Sequence, residues 1–214
     1  MNKCAVFDMD GTLINSAEDL VNTCNMLRSA YGLEPLEADV IMGFIGDGVG
    51  KLLERTLAGS GIPPAEAKDL MMEFYAQNLD LHTTLYPGVY KGIRDLRKAG
   101  WKIALFSNKK EDFCKQILFD FGLGLDFDCV VGDGGGFARK PDPEALLYIL
   151  DFLKIEDPSS SWMVGDHHTD LEAGQRAGMK TVFCEYGFGN PGEFKPDLRV
   201  KNFSEFVNAV LQNE

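Results

Sequence analysis

At 214 residues the chain can build one good core, or one core with a small satellite domain, and its 45% hydrophobic and 25% charged residues exclude a disordered or fibrous protein. The 21 basic and 33 acidic residues leave a formal charge of -12 and a pI near 4.7, a field that repels nucleic acid and anionic membrane surfaces. The five cysteines (Cys4, Cys24, Cys114, Cys129 and Cys184) form no C-x-x-C pair, which fits reduced, buried thiols in a cytoplasmic protein better than a disulfide or zinc framework. No apolar stretch reaches the length of a membrane span, and the N-terminal run turns acidic too soon for a signal peptide.

The first predicted element is a buried strand over 3–8, in "KCAVFD", running into "MDGTLINS". Asp8 and Asp10, two residues apart, point to the same side if the chain stays extended. Taken alone, the pair fits a turn or helix cap as well as it fits a site. Residues 16–81 contain no convincing strand but three helical periods: Leu20, Cys24, Leu27 and Tyr31, then 52–57, then 64–81. They read as an all-helical insertion, placing a core at 1–15 and 83–214 and a cap at 16–82, joined by two crossings that make a hinge. Inside the insertion, "GFIGDGVG" precedes a helix beginning near Val49, and its glycines let backbone amides approach an anion. Gly46, Asp47 and Gly48 are therefore read as a cap loop closing on a leaving group, against the alternative of a flexible turn. Arg55 is read as lying on a solvated helix face.

From residue 88 onward strands and helices alternate. Val89, Ile93 and Leu96 repeat at helical spacing before Gly100, and a strand follows over 102–107. Further strands are predicted at 128–132, 161–165 and 180–184. The helices between and after them are marked by Leu146, Ile149, Leu150 and Leu153, by 170–177 closed at Gly178, and by Phe203, Phe206, Val207, Val210 and Leu211. This alternation predicts an α/β fold with a parallel sheet covered on both faces. In such a sheet ligands bind beyond the carboxyl ends of the strands, where Asp8 and Asp10 fall. Another strand ends in "WMVGDHHTD", where Asp166 and Asp170 form a second acidic pair. Clustered carboxylates need a cation, and hard oxygen ligands with room for water suit Mg²⁺. Ser107 and Asn108 can donate hydrogen bonds to an oxyanion, and Lys140 in "ARKPDP" supplies a compact positive charge. His167 and His168 are read as polar groups at a cleft rim rather than a second metal site, since neighbours on a loop do not converge by default. The run "GDGGGFA" suggests a mobile approach to Lys140, and the eight methionines are read as core filler.

"DMDGT", Ser107, Lys140 and "GDHHTD" resemble, in order and spacing, the four signature motifs of the haloacid dehalogenase-like phosphohydrolases, over essentially the whole chain. "IGDGVGKLLERTL", "LYPGV", "FSNKKEDFCKQIL" and "RKPDP" look like the phosphoglycolate phosphatase branch. The resemblance implies a Rossmann-like core in which the five predicted strands, numbered in chain order, are arranged 5-4-1-2-3 beneath a helical cap. It also implies a Mg²⁺-dependent phosphatase. Asp8 would be the nucleophile that forms an aspartyl-phosphate, and Asp10 the general acid and base. Lys140 would be catalytic beside them, Met9, Gly11, Thr12, Ser107 and Asn108 would bind phosphate, and Asp8, Asp10, Asp166 and Asp170 would serve the metal, with Asp170 holding Lys140 or a metal-bound water. The loop "YGFGNPGEF" resembles the family's loop after the fifth strand and is assigned no chemistry.

A cap over the site excludes macromolecules, so the expected partner is a small phosphate ester, foremost 2-phosphoglycolate, handled by a monomer or homodimer. Pyrophosphate, a nucleotide or a sugar phosphate remain alternatives, as do a phosphosugar mutase using the same Asp8 and a non-catalytic phosphate-binding module. A dehalogenase would leave Asp10 unused. A phosphonate hydrolase needs a cap lysine poised for Schiff-base chemistry, and nothing marks Lys51 or Lys68 as one.

Overall fold

Cys4, Ala5, Val6 and Phe7 are fully buried and form β1 (Cys4–Phe7) in a computed structural model that describes residues 3–212. Strand side chains alternate between faces, and the packing keeps that period: Ala5 and Phe7 join one apolar cluster, Cys4 and Val6 another. Phe7 meets Phe203 and Phe206 with ring centroids 5.5 and 5.8 Å away. A strand apolar on both faces suits the middle of a parallel sheet, and β1 has a parallel neighbour on each side.

The chain then leaves the sheet through β2 (Ile14–Asn15) and passes through α1 (Ala17–Ala30), α2 (Ala38–Met42), α3 (Val49–Thr56) and α4 (Pro64–Gln77) before returning at β3 (Thr84–Leu85). The two crossings pair antiparallel, Ile14 with Leu85 and Asn15 with Thr84. Beside them Asp19 of α1 is fully buried. Its carboxylate accepts hydrogen bonds from the backbone N–H of His82 (3.0 and 3.1 Å) and of Thr83 (2.8 Å) and from the Thr83 hydroxyl (2.7 Å). A buried carboxylate needs such partners, and these tie the start of α1 to the returning chain.

The remainder alternates as α5 (Val89–Lys98), β4 (Lys102–Lys110), α6 (Glu111–Asp120), β5 (Cys129–Asp133), α7 (Glu144–Phe152), β6 (Trp162–Gly165), α8 (His168–Arg176), β7 (Lys180–Cys184), β8 (Leu198–Val200) and α9 (Phe203–Gln212). The sheet is parallel throughout, in the order β5-β4-β1-β6-β7-β8. Helices α5, α6 and α9 pack on one face, α7 and α8 on the other. This is the expected doubly wound α/β sheet with an inserted helical cap. The five predicted strands take the predicted order.

The differences are local. A sixth strand, β8, extends the edge, and its three residues with an exposed Arg199 at the centre carry no apolar run. Strand β4 continues to Lys110, three residues past its expected end at 107, because Ser107, Asn108 and Lys109 are buried toward the cap instead of ending in solvent. Helix α2 is an addition, α4 ends at Gln77, and α8 begins at His168, two residues before the expected start. Among the described residues no helix is long and apolar enough to cross a membrane, and the five cysteines are free thiols.

Candidate active site

β1 delivers Asp8 to the carboxyl edge of the sheet, where its backbone N–H donates to Val164 O at 2.9 Å. A tight turn follows, with the Thr12, Leu13 and Ile14 N–H groups all donating to Met9 O. Gly11 makes it possible: its φ is +79°, and a Cβ there would lie 2.1 Å from Asp166 Oδ2. The turn points Asp8 and Asp10 at different partners. Lys140 Nζ lies 2.7 Å from Asp8 Oδ1 and 2.6 Å from Asp170 Oδ1. Asp10 Oδ1 instead accepts from Ser16 Oγ and Lys109 Nζ, each at 2.6 Å.

Lys140 is held firmly, contrary to the mobile approach expected from its glycine-rich neighbourhood. Asn108 Oδ1 accepts from the Lys140 N–H at 2.9 Å, while Asn108 Nδ2 donates to the Lys140 and Gly46 carbonyls, both at 3.2 Å. The amide expected to face an oxyanion is thus engaged in clamping the lysine segment to β4 and to the cap loop. Arg139 forms a two-point pair with Asp133 at 2.9 and 2.7 Å, anchoring the same segment. Ser107 is buried at the cavity wall. Arg55 also departs from expectation: it binds Asp47 Oδ2 at 2.7 Å and Phe44 O at 2.9 Å, bracing the cap loop instead of lying free on a helix face.

The loop after β7, to which the sequence assigned no chemistry, holds Asp166. Phe188 and Gly189 N–H groups donate to its Oδ2 at 3.0 and 2.8 Å, and Thr12 Oγ1 donates to its Oδ1 at 3.4 Å. Lys109 is the other residue the sequence reading passed over. It is buried, bound to Asp10, and sits 4.7 Å above the ring of Tyr75 from α4, so it joins cap to core. The only signal for it is its place two residues after Ser107, on the same side of β4.

One carboxylate oxygen each of Asp8, Asp166 and Asp170 falls within 4.8 Å of the other two. Burial, then the neighbouring carboxylates, pushes Asp166 well above the ordinary range. Burial also pushes Asp8 up to about 6, against the opposing pull of Lys140. For both Lys140 and Lys109 burial disfavours the charge, but the adjacent carboxylates outweigh it and the net shift is upward. His167 is pushed down to about 4 by burial and then by His168. In this cluster Lys109 and Lys140 thus meet Asp8, Asp10, Asp166 and Asp170, and Asp8, Asp10, Lys109 and Asp166 open on a cavity of about 420 Å³ that also touches Gly46, Gly48 and apolar side chains of the cap.

The family described as haloacid dehalogenase-like hydrolase matches residues 5–184. The chain belongs to this family and is a hydrolase of its phosphoglycolate phosphatase-like branch. It is 33% identical over 220 residues to the phosphoglycolate phosphatase of Psychrobacter arcticus, covering 97% of this chain and 95% of that one. To that of Aquifex aeolicus it is 34% identical over 205 residues, covering 96% and 95%. Among solved structures, a predicted phosphoglycolate phosphatase from Haemophilus somnus superposes with a TM-score of 0.89 at 25% identity, covering 100% of this chain and 98% of the other.

Proposed function

We propose that the protein hydrolyses a small phosphomonoester, foremost 2-phosphoglycolate, through an aspartyl-phosphate on Asp8, assisted by Mg²⁺. The observation that carries this reading is the placing of Asp8: buried, its Oδ1 2.7 Å from Lys140 Nζ, and within reach of the Asp166 and Asp170 carboxylates. Carboxylates gathered out of water beside a single lysine are costly unless they serve as ligand or nucleophile.

The residues also fit a hard divalent cation. The donors are all oxygen, and three carboxylates converge. Asp8 and Asp166 would hold the ion with the Asp10 carbonyl, and Asp170 would steady Lys140 from beside them. When bound, Mg²⁺ supplies positive charge against the phosphoryl oxygens.

The chain's own groups perform the transfers. The Asp8 carboxylate attacks phosphorus, and the bond from phosphorus to the leaving oxygen breaks while Asp10 protonates that oxygen. Asp10 then takes a proton from a water that attacks the phosphoaspartate, releasing inorganic phosphate and restoring Asp8. Lys140 and Ser107 stabilise charge on the transferring oxygens. Ser16 and Lys109 hold Asp10 by its Oδ1. The cap, residues 16–82, closes the site from water.

A second reading has its own support. The cap side of the cavity is walled by Leu20, Ile45, Val49, Leu52, Met71 and Met72, with Phe113 of α6 beside them, which favours a leaving group larger and less polar than glycolate. Phosphate release from 2-phosphoglycolate, pyrophosphate, sugar phosphates and nucleotides, each with Mg²⁺ or EDTA, separates the two. A Mg²⁺-dependent preference for 2-phosphoglycolate supports the first; a preference for a nucleotide or sugar phosphate selects the second. Absence of release from every ester contradicts both.

A further inference from the structure

Apart from the acidic cluster, three ligand-type side chains meet where the cap loop touches the core. Asp47 comes from the turn before α3, and His167 and His168 from the start of α8; one ligand atom of each lies within 4.8 Å of the other two. The imidazoles converge because His167 occupies the N-cap position with extended backbone while His168 opens the helix. Their ring centroids are 4.0 Å apart.

The His167 ring is fixed from two sides. Its Nδ1 lies 3.0 Å from Thr169 Oγ1. Gly46, at φ +115°, packs so tightly on the opposite edge that a Cβ there would be 2.7 Å from Cδ2 and 2.8 Å from Nε2. An ion at Nε2, which faces the cap loop, selects the tautomer whose Nδ1–H donates to that hydroxyl, in place of the one whose Nδ1 accepts the Thr169 N–H at 3.5 Å. Such an outer hydrogen bond is what orients a metal-binding imidazole. Asp47 is oriented likewise: Arg55 binds its Oδ2 at 2.7 Å, so Oδ1 can turn to an ion.

We propose that Asp47, His167 and His168 form a second metal site, distinct in chemistry from the acidic cluster, that ties the cap loop to the core. Two imidazole nitrogens and one carboxylate oxygen suit a borderline ion such as Zn²⁺, with water completing a tetrahedron, and suit Mg²⁺ poorly. Gly46 and Gly48 line the cavity, so an ion bound beside them pins the loop and slows exchange of substrate and product. That consequence for turnover rests on the proposed phosphatase reading, whereas ion binding does not.

The test titrates Zn²⁺, then Co²⁺ as a spectroscopic probe, into the full chain in excess Mg²⁺, which keeps the acidic cluster occupied. Calorimetry should show uptake of a single ion, and Co²⁺ should give a d–d spectrum with imidazole ligation. His168→Gln and Asp47→Asn should each weaken uptake roughly tenfold or more while leaving the Mg²⁺ affinity unchanged. His167 is left intact because it is buried and adjoins Asp166. Zn²⁺ should slow amide exchange at Gly46 and Gly48 in the wild type but not in His168→Gln. Absence of uptake, equal uptake by these variants, or loss of uptake in Asp166→Asn instead would overturn the site. Unchanged turnover of the best ester with the site filled would overturn the loop-pinning role, whereas failure of every ester with Zn²⁺ uptake intact contradicts only the phosphatase reading.

Discussion

Lys109 shows how a single side chain can control another without being marked in the sequence. It stands 99 positions from Asp10, so no local motif joins them; only the sheet does, by placing β4 beside β1. Its hydrogen bond fixes the carboxylate proposed to protonate the leaving oxygen. Lys109→Met should therefore lower kcat on the order of 100-fold for an alkyl phosphate, the scale of a general-acid contribution. It should do much less to p-nitrophenyl phosphate, whose leaving group needs no proton. Steady-state kinetics on both esters check this, and equal losses would assign Lys109 a merely structural role. Asp8 and Asp166 were legible because each follows an apolar strand, whereas Lys140, in the loop between β5 and α7, stood out through its motif's resemblance to the family. The amides of Phe188 and Gly189 that hold Asp166 were not, because any residue offers a backbone N–H and only the folded loop aims it.

At the scale of elements, the strands of the core were readable as apolar runs, and their order followed from the family resemblance. What escaped were pieces too short or too polar to carry a period: β2 and β3, α2, and β8. The β2–β3 crossing is nonetheless where the cap is fastened, through the buried Asp19. Its apolar neighbours disguise it, since Asp19 occupies a buried position of a helix whose other buried residues include Leu20, Cys24 and Leu27. Asp19→Ala would strand two backbone N–H groups and a hydroxyl, and should cost about 3 kcal/mol. Asp19→Asn, which keeps an acceptor, should cost less. Urea denaturation of both variants tests this, and a near-neutral Asp19→Ala would mean that the crossings hold without the clamp.

For the whole molecule, the charge balance sets a contradiction that the site resolves locally. A chain with a net charge of -12 must attract an anion to a cluster in which Asp8, Asp10, Asp166 and Asp170 outnumber Lys109 and Lys140. A divalent cation would correct that imbalance, and on the proposed reading it would serve stability as well as catalysis. The folded-state pKa of Asp8 lies at about 6, above its unfolded value near 3.8, and that of Asp166 is raised as well. Groups with raised values contribute stability at low pH that is lost as pH climbs through the folded value. The metal-free protein should therefore lose stability as pH rises from about 4 through the Asp8 value of about 6, and Mg²⁺ bound at the ionised cluster, as proposed, should raise Tm more at about pH 7.5 than at about pH 5. Thermal melts with Mg²⁺ and with EDTA at both pH values check the sign; an equal or smaller Mg²⁺ effect at the higher pH would mean that the cluster is not where the ion binds.

The central claim is that phosphate passes through Asp8. It is tested most directly by mixing the enzyme with an ester radiolabelled in its phosphate, quenching in acid within one turnover, counting protein-bound label in one portion, and reducing the other with borohydride, which expels phosphate and leaves homoserine, for peptide mass analysis. Protein-bound label before reduction, homoserine in place of Asp8 in the peptide containing "AVFDMDGTLINS" after it, and loss of both with EDTA or in Asp8→Asn is the predicted result. Full turnover without a phosphoenzyme under conditions that trap known phosphoaspartates, or label on another residue, would contradict it.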